Sequence, residues 1–390
     1  MSSDFLAPLR DDVRTLGEFL GDVLRQIEGQ DLFEAVESVR RLSKSGEGFD
    51  ALAQLLRESS IERAETIARS FAHFLNLANI AEQHHRIRRR RDYQRKTGSM
   101  SQRGSFFDSF SGLLEKGVDA EQLHRVVSNL CIELVLTAHP TEILRRTFLQ
   151  RNRMIAQLLG QRDRSDLTIP ERELLDEDLK RAVQAQWETE EVRRERPSPI
   201  YEAQGGLLVF EQSLWNAVPR FLRGLDRSLR ELTGEGLGLE AAPVRFGSWM
   251  GGDRDGNPNV TPDVTWRTCL RARWIACDLY LRELHDLREE LSLRSCSKEL
   301  REIAGEEEHE PYRAVLKRIE ERLKCALTSI AADLESEVLQ LSEESRILPT
   351  DLREPLLLCR RSLIETGNEI IARGRLEDLL RRIATFGVTM

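Results

Sequence analysis

The sequence is poor in several features that would narrow its class quickly. Aromatic residues make up only 6% of its 390 positions. No stretch approaches the run of about 18 apolar residues that marks a transmembrane helix. The opening MSSDFLAPLRDDVR lacks the basic-then-apolar layout of a secretory signal. These two absences predict a cytoplasmic protein with no membrane partner. Six cysteines (Cys131, Cys269, Cys277, Cys296, Cys325 and Cys359) form no CxxC pair. They are expected as reduced, packed thiols rather than a zinc site or a disulfide framework. There is no internal repeat and no low-complexity tract.

What the chain does have is charge. Charged residues are 32% of the sequence against 40% apolar, and the net charge is -8. Abundant Leu, Arg and Glu with few aromatics predict a helix-rich fold. The acidic balance argues against nucleic acid as a partner while leaving room for local basic pockets. The run Arg86, Arg88, Arg89, Arg90, Arg91 lacks interleaved aromatics apart from Tyr93, which favours a solvated or salt-bridged helix end over a nucleic-acid surface.

The pattern along the chain predicts helices to about residue 97, a Gly/Ser-rich loop over 98–112 and a short helix over 119–130. Strands are predicted near 132–137, 244–250 and 383–388, separated by long helical stretches. The stripe Tyr312, Val315, Leu316, Ile319, Leu323, Leu327, Ile330, Leu334 and Val338 keeps helical spacing over several turns. The reading divides the chain into an N-terminal helical region, 1–130, and a second region, 131–390. Strands separated by long helices suggest parallel crossovers, yet three strands cannot close a barrel. A closing apolar strand without neighbours is also unusual, since parallel strands need both faces covered. The expected fold is mainly α-helical with a few parallel strands, an incomplete (β/α)8 barrel with large helical insertions. The expectation is therefore the front part of a longer chain.

Two motifs have the make-up of chemistry. His139 follows the first strand and precedes Pro140, which favours an extended backbone and marks a helix boundary. Groups at the carboxyl ends of parallel strands face the active site in such folds. A helix starting near Thr141 would bring its N-terminus, which favours anions, together with Arg145 and Arg146. The competing reading is a histidine that merely caps a turn. The second motif is FGSWMGGDRDGNPN, 246–259. Gly251 and Gly252 permit close backbone approach, and Asp253, Arg254 and Asp255 set three charges beside Gly256. An EF-hand is excluded because the twelfth position from Asp253 is Val264 and not Glu. A P-loop is excluded because there is no GK[ST]. An Asp–Arg network that shapes the turn and direct ligand contact both remain open. Arg193 and Arg194 in EVRRERPSP, 191–199, read first as cations at a helix C-terminus and second as an anion pocket.

Taken together, LVLTAHPTEILRRTFLQ (134–150), RRERPSPIYEAQGGL (193–207) and FGSWMGGDRDGNPNVTP (246–262) resemble the phosphoenolpyruvate carboxylase family, and ANIAEQHHRIRRRR (78–91) resembles its N-terminal helices. The resemblance implies conversion of phosphoenolpyruvate and bicarbonate to oxaloacetate and phosphate, an anaplerotic supply to the tricarboxylic acid cycle, with Mg2+ or Mn2+. It implies that His139 takes the carboxyphosphate proton and that Trp249 borders the apolar part of the substrate pocket. Arg145 and Arg146, joined by Arg193 or Arg194, match an activator site for a sugar phosphate in some members. The family assembles as a homotetramer. Its members run more than twice as long, and the metal-binding carboxylates, a catalytic lysine and a mobile Gly/Arg-rich loop match nothing here. No metal ligand is therefore expected in this chain, and the chain alone is expected to be inactive. Tyr201-Glu202-Ala203-Gln204 departs from the family's Asp-Glu-Ala-Arg, which replaces one acidic and one basic group. The alternative is a non-catalytic helical interaction or regulatory module derived from the same family.

Overall fold

The computed structural model describes residues 5–45, 49–97, 102–137, 146–190, 198–306 and 308–390. In chain order the helices begin with α1 (Ala7–Ile27), α2 (Gln30–Ser45), α3 (Phe49–Glu58) and α4 (Ile61–Thr97). Next come α5 (Phe106–Glu115), α6 (Ala120–Ser128), strand β1 (Ile132–Leu136), α7 (Arg146–Arg162) and α8 (Ile169–Trp187). Helix α9 (Pro199–Val209) runs through a π-helical turn, Phe210–Leu214, into α10 (Trp215–Thr233). Strand β2 (Val244–Ser248) is followed by α11 (Pro262–Glu290), α12 (Lys298–Ala304) and α13 (Pro311–Glu335). Then come α14 (Pro349–Glu365), α15 (Glu369–Ala372) and α16 (Arg375–Phe386). Among the described residues no helix is long and apolar enough to cross a membrane.

The chain forms two compact units: Met1–Met100 with Ile143–Arg196, and Ser101–Glu142 with Pro197–Met390. The expected N-terminal helical region, 1–130, is thus shared: α1–α4 fall in the first unit, with α7 and α8, and α5 and α6 fall in the second.

The first unit is all helix among its described residues. Leu16, Leu77, Ile155, Leu159, Leu179 and Trp187 are buried where α1, α4, α7 and α8 meet. A smaller cluster, Leu32, Val36, Val39 and Ile67, joins α2 to α4. Helix α8 shows how local chemistry sets an end. Thr168 accepts from the Glu171 amide at 3.4 Å, and the Glu171 carboxylate accepts from the Thr168 amide at 2.8 Å. This reciprocal capping contributes about 1 kcal/mol.

The second unit is built around α11 and α13. Tyr312, Val315, Leu316, Ile319, Leu323 and Ile330 are buried, so the predicted stripe is the core-facing side of α13. The stripe ends sooner than predicted, because the helix stops at Glu335 and Val338 is exposed beyond it. Tyr280 donates to the Gly387 carbonyl at 2.7 Å, which ties α11 to the chain's last residues.

Two expectations are corrected. The run 383–388 is not a strand: Ile383 and Phe386 belong to α16, where Leu376, Leu379, Leu380, Ile383 and Phe386 are buried at helical spacing. A short apolar run reads alike in a buried strand and a buried helix, and Gly387, at φ 62°, ends the helix. The Gly/Ser-rich stretch 98–112 is not loop throughout. Ser105 accepts from the Asp108 amide and starts α5, whose Phe110 is buried.

Candidate functional site

The two strands that were read correctly are the two that pair. β1 and β2 run parallel in the register Ile132↔Val244, Leu134↔Phe246 and Leu136↔Ser248. The ladder extends one bond past each end. Ile132 donates to the Pro243 carbonyl at 2.9 Å, and Trp249 donates to the Leu136 carbonyl at 3.0 Å. The carboxyl ends of both strands therefore lie side by side. One runs toward the histidine motif and the other opens directly into the tryptophan–glycine turn.

Phe246 anchors β2 to the helices. It stacks on Phe386 (5.6 Å between ring centres) and meets Phe210 edge-on at 5.7 Å. Trp215 continues the cluster, at 5.7 Å from Phe386 and 5.1 Å from Tyr280. Such ring pairs add about 1 kcal/mol each beyond their buried area. The π-helical turn carries Phe210 into this cluster, and such turns recur at functional sites.

The turn after β2 is shaped by its backbone. Gly252 and Asp253 donate to the Trp249 carbonyl at 3.0 and 2.8 Å, and Asn257 donates to the Arg254 carbonyl. Gly251 has φ 75°, and a Cβ there would meet Thr268, whose own Cβ stands 3.0 Å away. Thr265 donates to the Gly251 carbonyl at 2.8 Å, and Thr261 caps α11 by accepting from Val264. Asp255 holds φ 28°, which is uncommon for a side-chain-bearing residue. The side chains of Asp253, Arg254 and Asp255 are exposed and, among the described residues, make no ion pair. The Asp–Arg network that was one reading of this turn is thus not what holds its shape.

Trp249 is 58% exposed, so an indole of large apolar area faces solvent at the strand ends. Behind it, Met250 packs against Gly206 of α9, where any side chain would overlap the methionine's methyl group. That contact brings the QGG of the intermediate motif onto the turn. Sequence reasoning did not connect the two, although the paired glycines 205 and 206 inside a helix were a signal of close approach. Arg267 was also missed. It pairs with Asp263 at 3.0 Å and donates to the carbonyls of Leu334 and Ser336, fixing the start of α11 to the end of α13.

His139, Arg145, Arg193 and Arg194 lie outside the described residues, as does the side chain of Arg146, whose backbone opens α7. Of the predicted site residues, the structure therefore gathers Trp249, Gly251, Gly252, Asp253, Arg254 and Asp255 in one turn. Among the described residues no three His, Cys, Asp or Glu side chains are arranged to hold a metal ion, so the described residues do not fit the Mg2+ or Mn2+ that the resemblance implies.

The described residues define a mainly helical protein with one parallel strand pair whose carboxyl ends share an edge. The family follows from comparison. The family model for phosphoenolpyruvate carboxylase matches residues 9–390, and the chain belongs to that family. It is 46% identical to the phosphoenolpyruvate carboxylase of Ectopseudomonas mendocina over 98% of this chain and 44% of that protein. The Acinetobacter baylyi and Stutzerimonas stutzeri enzymes of the same name are 42% and 46% identical, each over 98% of this chain and 43% and 44% of theirs. The chain thus spans less than half the length of these relatives.

Proposed function

We propose that this chain contributes the histidine-bearing and tryptophan-bearing strand ends of a phosphoenolpyruvate carboxylase active site. In the reaction, a bicarbonate oxygen attacks the phosphorus of phosphoenolpyruvate, and the bond to the enol oxygen breaks. Carboxyphosphate and the pyruvate enolate form. Carboxyphosphate gives up its proton to His139 and falls apart into carbon dioxide and phosphate. The enolate carbon then attacks carbon dioxide, giving oxaloacetate, the form in which the product resupplies the tricarboxylic acid cycle. Trp249 supplies an apolar wall that keeps water from protonating the enolate. The family's Mg2+ or Mn2+ supplies charge stabilisation when bound, from ligands outside the residues described here.

The observation that carries this reading is the in-register parallel pairing of β1 and β2. It sets Trp249 against the carbonyl of Leu136, the residue three positions before His139. The two most specific family motifs are thereby neighbours. The exposed apolar side chains of Ile132, Leu134 and Val135 support a larger sheet, an incomplete (β/α)8 barrel within 131–390, because parallel strands are ordinarily covered on both faces. Arg145, Arg146, Arg193 and Arg194 are assigned to binding an anionic activator.

The test joins this chain to the residues that follow the matched segment in the Ectopseudomonas mendocina relative. The joined protein is expected to form oxaloacetate from phosphoenolpyruvate and bicarbonate with Mg2+. The 390-residue chain alone is expected to form none. Comparable turnover by the chain alone, or none by the joined protein when folded, contradicts the proposal.

A further inference from the structure

A cleft of about 490 Å³ opens on the first unit. Its walls come from four helices: Pro8, Asp11 and Asp12 of α1; Arg88, Arg91, Asp92 and Arg95 of α4; Arg162 and Asp163 at the end of α7; and Arg172 of α8. The basic run that reads as a solvated or salt-bridged helix end thus has a direction. Positions 88, 91, 92 and 95 recur at helical spacing and present one face of α4 to the cleft.

Most charges in the cleft are already matched. Arg88 donates to Asp163 through Nε and Nη2 at 3.0 and 2.7 Å, and to the buried Asp12 through Nη2 at 2.9 Å. His84 shares Asp163 at 2.7 Å. Arg162 is held by Asp176 at 2.7 Å, and Asp11 pairs with Arg14. Asp92 reaches Arg95 only at 3.8 Å, with both side chains in solvent. Two guanidinium groups are left over. Arg91 and Arg172 face the same cleft with no ion pair among the described residues. Arg172 also stands in the first turn of α8, where the helix dipole disfavours a cation. An unmatched arginine at that position is a cost unless an anion meets it.

We infer that this cleft binds a compact, multiply charged oxyanion, a phosphoryl group or a small dicarboxylate, between Arg91 and Arg172, with Arg95 at the rim. The paired Arg88 and Arg162 form a rigid floor whose charges are already satisfied. Guanidinium groups suit either oxyanion because their paired N–H groups match two oxygens at once. The inference is independent of the carboxylase reading.

Isothermal titration of the 390-residue chain with inorganic phosphate and, separately, with malonate tests it. Saturable binding that weakens with added salt is expected. The double variant Arg91→Ala/Arg172→Ala should weaken it about tenfold or more. Arg164→Ala, which removes an exposed arginine paired with Asp166 outside the cleft, should leave it unchanged. Tighter phosphate binding assigns a phosphoryl ligand, and tighter malonate binding assigns a dicarboxylate. Absence of saturable binding by both, or binding that survives unchanged in a folded double variant, overturns the inference.

Discussion

The two units differ in what ties their elements together. In the first, the inner ends of α1, α4 and α7 are tied by an ionic network: Asp12, 6% exposed, meets Arg88, which also holds Asp163 and, through it, His84. In the second, the helices close over an extensive apolar core, while β1 leaves Ile132, Leu134 and Val135 in solvent beside the exposed Trp249. The second unit also buries charge, as Arg382 on Glu283 and Glu320 with Arg288; what it adds is a paired, exposed apolar strand beside Trp249. Buried ion pairs with several partners fix a geometry at a cost in desolvation. Exposed apolar strands gain nothing from solvent and are retained where something else covers them.

The largest effect expected from breaking this contrast is in the ionic network. Arg88→Met should destabilise the first unit by about 3 kcal/mol or more, since it leaves the Asp12 carboxylate buried and unpaired near Asp163. Burial already pushes Asp12 upward against the opposing pull of Arg88. Urea unfolding measures the loss, and a change below about 0.5 kcal/mol would show that the network is ornamental.

Next comes a pH effect in the same unit. Burial, reinforced by Arg69 and opposed by a hydrogen bond with Gln186, lowers the pKa of His73 from 6.5 to about 4. The unfolded chain therefore takes up this proton first as the pH falls. Stability present above about pH 6.5 is lost progressively toward pH 4, on the order of 3 kcal/mol. His73→Gln should flatten the fall in melting temperature across that window. An unaltered slope would remove His73 from the account.

In the second unit, Gly251→Ala should cost about 2 kcal/mol, combining the left-handed backbone at that position with the clash against Thr268. The smallest effect is on the sheet. Leu134→Thr should change the stability of the 390-residue chain by less than about 0.5 kcal/mol, because the side chain is half in solvent. A loss of several kcal/mol would mean that β1 is already covered, and the two units would no longer differ in this respect.

The strands near 132–137 and 244–250 were legible because each is a short apolar run stopped by residues that cannot continue it. The histidine–proline pair ends one, and the tryptophan–glycine turn ends the other. The run 383–388 carried the same composition but lies at the end of a helix whose earlier leucines, Leu376, Leu379 and Leu380, set the period. The six residues 383–388 by themselves do not show that period. The site was legible as two motifs but not as one place: nothing in the spacing of 134–150 and 246–262 states that their strands pair in register. The basic run of α4 reads as a solvated or salt-bridged helix end, but which carboxylates would pair with it was not legible, because the partners of Arg88, Asp12 and Asp163, are 76 and 75 residues away in sequence. Likewise, the glycines of α9 gave no hint that Met250 was the side chain they admit.

The central claim is that the paired strand ends make one catalytic place out of two motifs. The most direct test measures kcat/KM for oxaloacetate formation in the protein joined to its relative's remaining residues, for His139→Asn, Trp249→Ala and the double variant. Each single change is expected to cost about 100-fold or more, and the double little beyond the worse single, since groups that act as a unit are not additive. Losses that multiply independently, or a His139→Asn protein with undiminished turnover, would contradict it.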